Sequence, residues 1–201
     1  NRNKSDILFL SAELAHYVGD GHMPLHTASN FNGQLTNQKG VHALWESQIP
    51  EMFGNNYNFK TGDAKYITDI STETWSIIAH PHSLEDTFLF DEKKTRRGFN
   101  KDNMYKKDAS GATVLSYNQP VFSDEYAREF NNAMNGMVEA QLRMSIEEVA
   151  DYWYTAWVNG GKPELLSLDD SHLTFQNQKN YKLEYKAWKK GKLLNLSAEK
   201  E

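Results

Sequence analysis

The amino-acid sequence predicts an all-α protein, and two observations support that prediction. In the stretch 123–159, apolar residues such as Tyr126, Phe130 and Met137 recur at the spacing of one helix face. No stretch shows a convincing alternation of apolar and polar residues, which is the pattern of a half-buried strand. Because 201 residues suffice for one sizeable core, we expect a single helical domain over residues 1–201.

The first helix is expected from Asp6, a residue type that caps helix N termini. Apolar residues on both sides of its repeat, including Phe9 and Leu14, predict that it is buried nearly all round. Gly21 and Pro24 should end or bend this helix, since proline cannot continue the backbone hydrogen-bond ladder.

Two further helices are expected before residue 91. The second should run from about Val41 to Phe53, with an interruption or end near Pro50. The third should cover about 64–90, with a break at Pro81. The segment between the first two helices is rich in Asn, Gly, Thr and Gln and is typical of a loop.

The fourth and longest helix is the stretch 123–159, with Ser123 as its N-cap and Gly160 beyond its end. Residues 91–120 are polar and contain seven Lys and Arg against four acids, so we predict a long loop or insertion. Residues 163–201 form a basic tail. The tail indicates either a docked terminal helix with solvated lysines, which we favour, or a basic amphipathic surface for lipid or phosphate.

Composition excludes several kinds of site. The net charge of -5 and the pI of about 5.8 argue against nucleic acid or anionic lipid binding over the whole chain. The absence of cysteine excludes thiolate metal sites and disulfides, so metal ligands must be oxygen or imidazole. The sequence contains no run of eighteen or more apolar residues, so it predicts no transmembrane segment.

Four of the seven histidines fall between His16 and His42. His16 and Asp20 are four residues apart, as are His42 and Glu46, so each pair would share a helix face. His26 lies on the connection between the two helices. His26, His42 and Glu46 form a set of two imidazoles and one carboxylate, which suits zinc with an open position for water. The same set could instead bind iron or manganese. The alternative to a metal site is that these are ordinary polar residues that cap helices.

The two segments "HYVGDGHMPLH" and "HALWE" resemble the superfamily of zinc-dependent phospholipases C and single-strand-specific nucleases. Both pair spacings, the interval from Asp20 to His26 and the proline before His26 match its motif, and residues 6–162 look most like the bacterial phospholipase C-like branch. Glu46 and "ASNF" favour phospholipase over nuclease, where Asp is usual at the Glu46 position.

The resemblance implies a multi-helix phospholipase C/nuclease-type fold in which metal-activated water attacks the phosphorus of a phosphodiester, either phospholipid or single-stranded nucleic acid. It implies that His26, His42 and Glu46 bind one zinc, that His16 and Asp20 contribute to a second, and that Asp20 bridges to a third and is catalytic. His22 would orient a ligand from outside the site or simply be exposed. An extracytoplasmic location, in the periplasm, at the cell surface or secreted, is also implied.

Members of this superfamily also use an N-terminal Trp and a further His, Asp and His, all upstream of the helix that carries His16 here. This sequence begins at Asn1, five residues before that helix, and lacks them. We therefore expect the C-terminal portion of a longer enzyme, with one complete zinc site. The alternatives are a degenerate relative that serves as a non-catalytic single-zinc binding or structural module, and a subunit whose site is completed by a separate polypeptide.

Overall fold

The computed structural model describes residues 4–116, 119–165 and 175–190, and these residues are mostly helical. The helices are α1 Lys4–Gly21, α2 Val41–Ala43, α3 Ile49–Phe53, α4 Ile70–His82, α5 Glu85–Arg96, α6 Lys101–Met104, α7 Asp124–Ala133, α8 Met137–Asn159 and α9 Phe175–Lys189. Two short antiparallel strands, β1 Leu115–Ser116 and β2 Gln119–Pro120, pair with each other. The predicted helical character is therefore confirmed.

The chain divides into two compact units. Residues 11–163 form one unit, which contains all the candidate site residues. Residues 1–10 and 164–201 form the other, which contains α9. No helix in the described ranges is long and apolar enough to cross a membrane.

Helix α1 ends where the sequence predicts, but its burial differs from the prediction. It stops at Gly21, ahead of Pro24. Leu8, Phe9 and Tyr17 are 60%, 63% and 67% exposed, so the prediction that this helix is buried nearly all round is wrong. Only the face of α1 that carries Leu14 and Val18 packs into a small cluster with Ile77 and Tyr152. The side chains on its other faces do not join that cluster.

The second predicted helix is present from Val41 to Phe53, but Pro50 does not interrupt it. Instead, the chain widens into a π-helical turn over Leu44–Gln48, and Pro50 lies in the first turn of α3. A proline ring inside an α-helix clashes with the carbonyl four residues earlier, and it has no N–H to donate. Pro50 is tolerated because it stands at the start of α3, where the helix needs no N–H from it, and the π-helical turn just before it contains Glu46.

Helices α4 and α5 replace the third predicted helix and part of the predicted loop. Helix α4 begins at Ile70, because the Asp69 side chain accepts a hydrogen bond from the backbone N–H of Thr72 at 3.0 Å. Helix α5 continues to Arg96 and α6 covers Lys101–Met104, so the prediction of a loop or insertion over 91–120 is wrong for these two stretches. Polar composition is misleading here because Glu92 points inward and is fully buried.

The longest predicted helix is two helices. Ser123 caps α7 as expected, since its Oγ accepts from the backbone N–H of Tyr126 at 3.2 Å. The chain then breaks at Asn135 and Gly136, whose φ angles are 49° and 82°. The left-handed conformation is favourable only for glycine and tolerated by asparagine, so it ends α7 before α8 begins. Helix α8 ends before Gly160, as predicted.

The main hydrophobic core holds the candidate site in place. Its fully buried residues include Met23 and Leu25 from the segment after α1, Leu44 from the π-helical turn, and Phe130 from α7. Met23 and Leu25 immediately precede His26 in the chain, so the backbone that carries this imidazole is anchored by apolar burial.

Candidate metal site

Two short segments position the candidate ligands. The chain leaves α1 in tight turns, with the backbone N–H of Met23 bonded to the carbonyl of Asp20 and that of His26 bonded to the carbonyl of Met23. These turns bring His26 back beside the end of α1. His42 and Glu46 lie four residues apart on the helical segment 41–53, so their side chains project from one face.

The side chains of His26, His42 and Glu46 converge on one point. The Nε2 atoms of the two histidines are 3.2 Å apart. One carboxylate oxygen of Glu46 lies 3.1 Å from Nε2 of His26, and the other lies 3.0 Å from Nε2 of His42. The ligand atoms of this group lie within 4.8 Å of one another, and the group could hold a metal ion.

The other ring nitrogens determine what these atoms offer. Nδ1 of His26 lies 2.8 Å from the backbone carbonyl oxygen of Asp20, and Nδ1 of His42 lies 2.8 Å from that of Phe31. A carbonyl oxygen only accepts hydrogen bonds, so each Nδ1 carries a hydrogen. When both rings are neutral, their Nε2 atoms present lone pairs to each other and to the Glu46 carboxylate. Such a set of acceptors requires a positive charge between them.

The shifts of the pKa values also indicate that this group of side chains favours a positive charge. When His42 is protonated, its Nε2 donates a hydrogen bond to Glu46, and this bond raises the pKa of His42 above its ordinary value. Burial alone would raise the pKa of Glu46, but the bond to His42 and the charges of His42 and His26 lower it overall. The site is therefore balanced either by a proton on an imidazole or by a metal cation.

Zinc fits the spacing of these atoms. Zinc bonds of about 2.0–2.1 Å in a tetrahedral site place neighbouring ligand atoms about 3.3 Å apart. The two Nε2 atoms are 3.2 Å apart, which is close to this value, and each Nε2 faces a different oxygen of Glu46 at 3.0–3.1 Å. Three protein ligands leave a fourth position for water, as in catalytic zinc sites. Two imidazoles and one carboxylate also suit iron or manganese, so the ligand set does not identify the metal.

Asp20 and His16 lie next to this group. Nε2 of His16 is 3.3 Å from one carboxylate oxygen of Asp20, and the other oxygen is 3.8 Å from Nδ1 of His26. The His16 side chain is 65% exposed. Within the described ranges, His26, His42 and Glu46 are the only group that supplies three ligand atoms, so Asp20 and His16 offer a partial second set.

His22 is buried rather than exposed, and its contacts differ from the predicted role. Its Nδ1 donates to the backbone carbonyl of Val18 at 2.8 Å, and burial lowers its pKa. Among the hydrogen bonds described for this part of the chain, none joins His22 to His26, His42 or Glu46. The imidazoles of His26 and His42, the candidate ligands, are oriented by backbone carbonyls instead.

Asn32 is a site residue that sequence reasoning missed. Its side-chain oxygen accepts from the backbone N–H of Gly40 at 3.0 Å and from that of His42 at 3.3 Å. Gly40 has no side chain to cap the helix that begins at Val41, so Asn32 caps it from the preceding loop. An Asn in a loop next to a predicted ligand is too common a signal to identify this role.

Gln38 and Glu92 anchor the loop that contains Asn32. The Gln38 amide donates to the backbone carbonyl of Leu89 at 2.8 Å and to the Glu92 carboxylate. Glu92 also accepts from Arg96 and from the Tyr126 hydroxyl, and burial raises the pKa of that hydroxyl. This buried network connects the loop to α5 and α7.

A cavity of about 360 Å³ lies beside the candidate site. Asp20 and Glu46 line it together with His22, Trp45, Gln141 and Ser145. The only charged groups in its wall are the two carboxylates. An anionic substrate would therefore be repelled from this cavity unless a cation were bound at its edge.

No protein-family model, curated protein or solved structure matches this chain. Membership of the zinc-dependent phospholipase C and nuclease superfamily therefore stays a prediction from the motif that contains His26, His42 and Glu46.

Proposed function

We propose that this protein is a zinc-dependent hydrolase of phosphodiesters, with His26, His42 and Glu46 as its metal ligands. The observation that carries the proposal is the arrangement of the two imidazoles. Both Nδ1 atoms bond to backbone carbonyls, and both Nε2 atoms, the free ligand positions of neutral rings, face the Glu46 carboxylate at 3.0–3.1 Å. Backbone bonds of this kind are typical partners of metal-binding histidines.

The residues of the site have separate roles in this proposal. When bound, zinc would supply a positive charge that activates a water molecule and attracts the substrate phosphate. His26, His42 and Glu46 would hold it, and the carbonyls of Asp20 and Phe31 keep the two rings in the tautomer that such binding needs. The half-exposed Asp20 carboxylate lies at the edge of the site, where it can accept the proton that water loses.

The phosphodiester substrate is what the resemblance to the phospholipase C and nuclease superfamily implies, and the charges around the site set the condition for its entry. The cavity wall carries only acidic charged groups, Asp20 and Glu46. A phosphodiester would enter only once the divalent metal had neutralised the two carboxylates, which makes binding and hydrolysis depend on the same ion. Phospholipids and single-stranded nucleic acids are both candidate phosphodiesters.

A non-catalytic single-zinc module is the second candidate. One observation favours it: in the described part of the chain, only one group supplies three ligand atoms, and the neighbouring His16 is largely exposed. Such a module would bind one zinc tightly and hydrolyse nothing.

The test compares two glutamates on the same helical segment. Glu46→Gln removes the carboxylate ligand while keeping the side-chain shape, and Glu51→Gln makes the same change at an exposed position of α3. Zinc content is measured by elemental analysis after dialysis, and hydrolysis is measured with a chromogenic phosphodiester and with phospholipid. We expect Glu46→Gln to lower zinc affinity and hydrolysis at least about a hundredfold and Glu51→Gln to change neither.

The outcomes separate the two candidates. One zinc per chain without hydrolysis in the unchanged protein would support the single-zinc module for this chain. Hydrolysis that survives both Glu46→Gln and His26→Ala would contradict the proposed site altogether.

A further inference from the structure

Helix α9 differs in charge from the rest of the chain. The chain as a whole has a formal net charge of -5. Residues 175–190, by contrast, contain five lysines and a single acidic residue, Glu184. A region of opposite sign on an acidic protein indicates a local binding surface for an anionic partner.

The lysines of α9 occupy one face of the helix. Lys179, Lys182, Lys186 and Lys189 recur at intervals of three, four and three residues, and all four are exposed. At about 100° per residue, they fall within a sector of about 80°. The α9 lysine face, as we call these four residues, is therefore a continuous stripe of positive charge.

Exposed apolar side chains flank the α9 lysine face. Tyr185 lies about 40° beyond one edge and Leu183 about 40° beyond the other, and they are 41% and 57% exposed. Tyr181, at 57% exposed, follows Tyr185 about 40° farther round the helix. Tyrosine prefers positions with an apolar ring and a wet hydroxyl, as at the boundary between lipid and water.

The ring contacts favour lipid over nucleic acid as the partner. Tyr181 and Tyr185 stack on each other with centroids 6.0 Å apart and an interplanar angle of 18°. The ammonium of Lys189 lies 4.5 Å from the centre of the Tyr185 ring. These ring faces are engaged within the helix, whereas binding of a single strand relies on ring faces that receive bases.

From these observations we propose that α9 is a peripheral membrane-binding helix that lies on an anionic phospholipid surface. The α9 lysine face meets the lipid phosphates, and Tyr185 and Leu183, which flank it, enter the headgroup region. A lysine near an anionic leaflet strengthens binding roughly fivefold. This inference concerns a different unit of the chain from the metal site and does not depend on hydrolysis.

The experiment measures binding to vesicles by co-sedimentation, with zinc absent throughout. The full chain is mixed with vesicles of phosphatidylcholine alone or of phosphatidylcholine with phosphatidylserine, at low and high salt. We expect binding only to the serine-containing vesicles, weakened by salt because exposed charges are screened. The double variant Lys182→Gln, Lys186→Gln should bind about twenty-five-fold more weakly.

The matched control removes two exposed lysines elsewhere, Lys94→Gln and Lys101→Gln, and should bind as the unchanged chain does. Helix content by circular dichroism checks that all the variants are folded. Equal loss in the two double variants, or binding that ignores phosphatidylserine, would overturn the proposal. Tighter binding to a single-stranded oligonucleotide than to the anionic vesicles would reassign α9 to nucleic acid.

Discussion

Replacing Asn32 with Ala tests whether the loop before His42 positions the metal ligand. The change removes the single oxygen that accepts from the backbone N–H groups of Gly40 and His42. Both donors lie at the start of the helical segment that contains His42 and Glu46. Nothing in the substitution touches a proposed metal ligand side chain directly, so any loss of zinc affinity reports on positioning.

The expected loss of stability in Asn32→Ala follows from the two hydrogen bonds that the change removes. A fully buried donor without a partner costs about 1–3 kcal/mol. Both bonds are part-buried, and the one to His42 is long at 3.3 Å, so solvent replaces some of the loss. We expect Asn32→Ala to lower the free energy of unfolding by about 1–2 kcal/mol and zinc affinity by about 10–100-fold, as for other groups behind metal ligands.

The assay is zinc competition against a chromogenic chelator, with thermal unfolding in parallel. Asn32→Asp should restore zinc binding, because its carboxylate accepts from the same two N–H groups and is favourable at a helix N terminus. Asn132→Ala, at an exposed position of α7, is the control and should leave zinc affinity unchanged. Zinc affinity in Asn32→Ala equal to that of the unchanged protein, or failure of Asn32→Asp to restore it, would refute the reasoning.

Two further predictions concern buried carboxyl groups. Burial and the nearby charge of Glu73 raise the pKa of Glu148 from 4.5 to about 7. The folded state therefore keeps a proton that the unfolded state releases, so the stability it contributes is complete below about pH 4.5 and is lost as pH rises through about 7. Glu148→Gln should be more stable than the unchanged protein at pH 8 by about 1–2 kcal/mol, after allowance for solvent screening. If urea unfolding gave the same pH dependence of the unfolding free energy for both proteins, this prediction would be contradicted. Glu92→Ala should lower the free energy of unfolding by about 3–5 kcal/mol, since it leaves Arg96 and the Tyr126 hydroxyl without their acceptor; a loss below about 1 kcal/mol would show that the network is dispensable.

Features that depend on neighbouring residues in the chain could be predicted from the sequence. The spacing of His42 and Glu46 places them on one helix face whatever surrounds them. The end of α1 at Gly21 and the cap at Ser123 likewise follow from local backbone chemistry. These are interactions over a few residues, which sequence patterns record directly.

Local patterns were misleading where distant residues decide burial. The continuous apolar repeat hides the break at Gly136, because residues on both sides of it enter the same core. The charged residue Glu92 suggests a loop, yet α5 continues through it because Arg96 and Tyr126 satisfy its carboxylate. The apolar sequence of α1 suggests full burial, but only part of its surface finds packing partners.

The candidate site shows the same division. The sequence by itself determined which residue types were available as ligands and that His42 and Glu46 would lie together, because that pairing is local. Only the tertiary structure brings His26 within 3.2 Å of His42. It also directs each Nδ1 to a backbone carbonyl and places the Asn32 side chain against the start of the helix that contains His42. These contacts join residues that come together only when the chain folds back on itself.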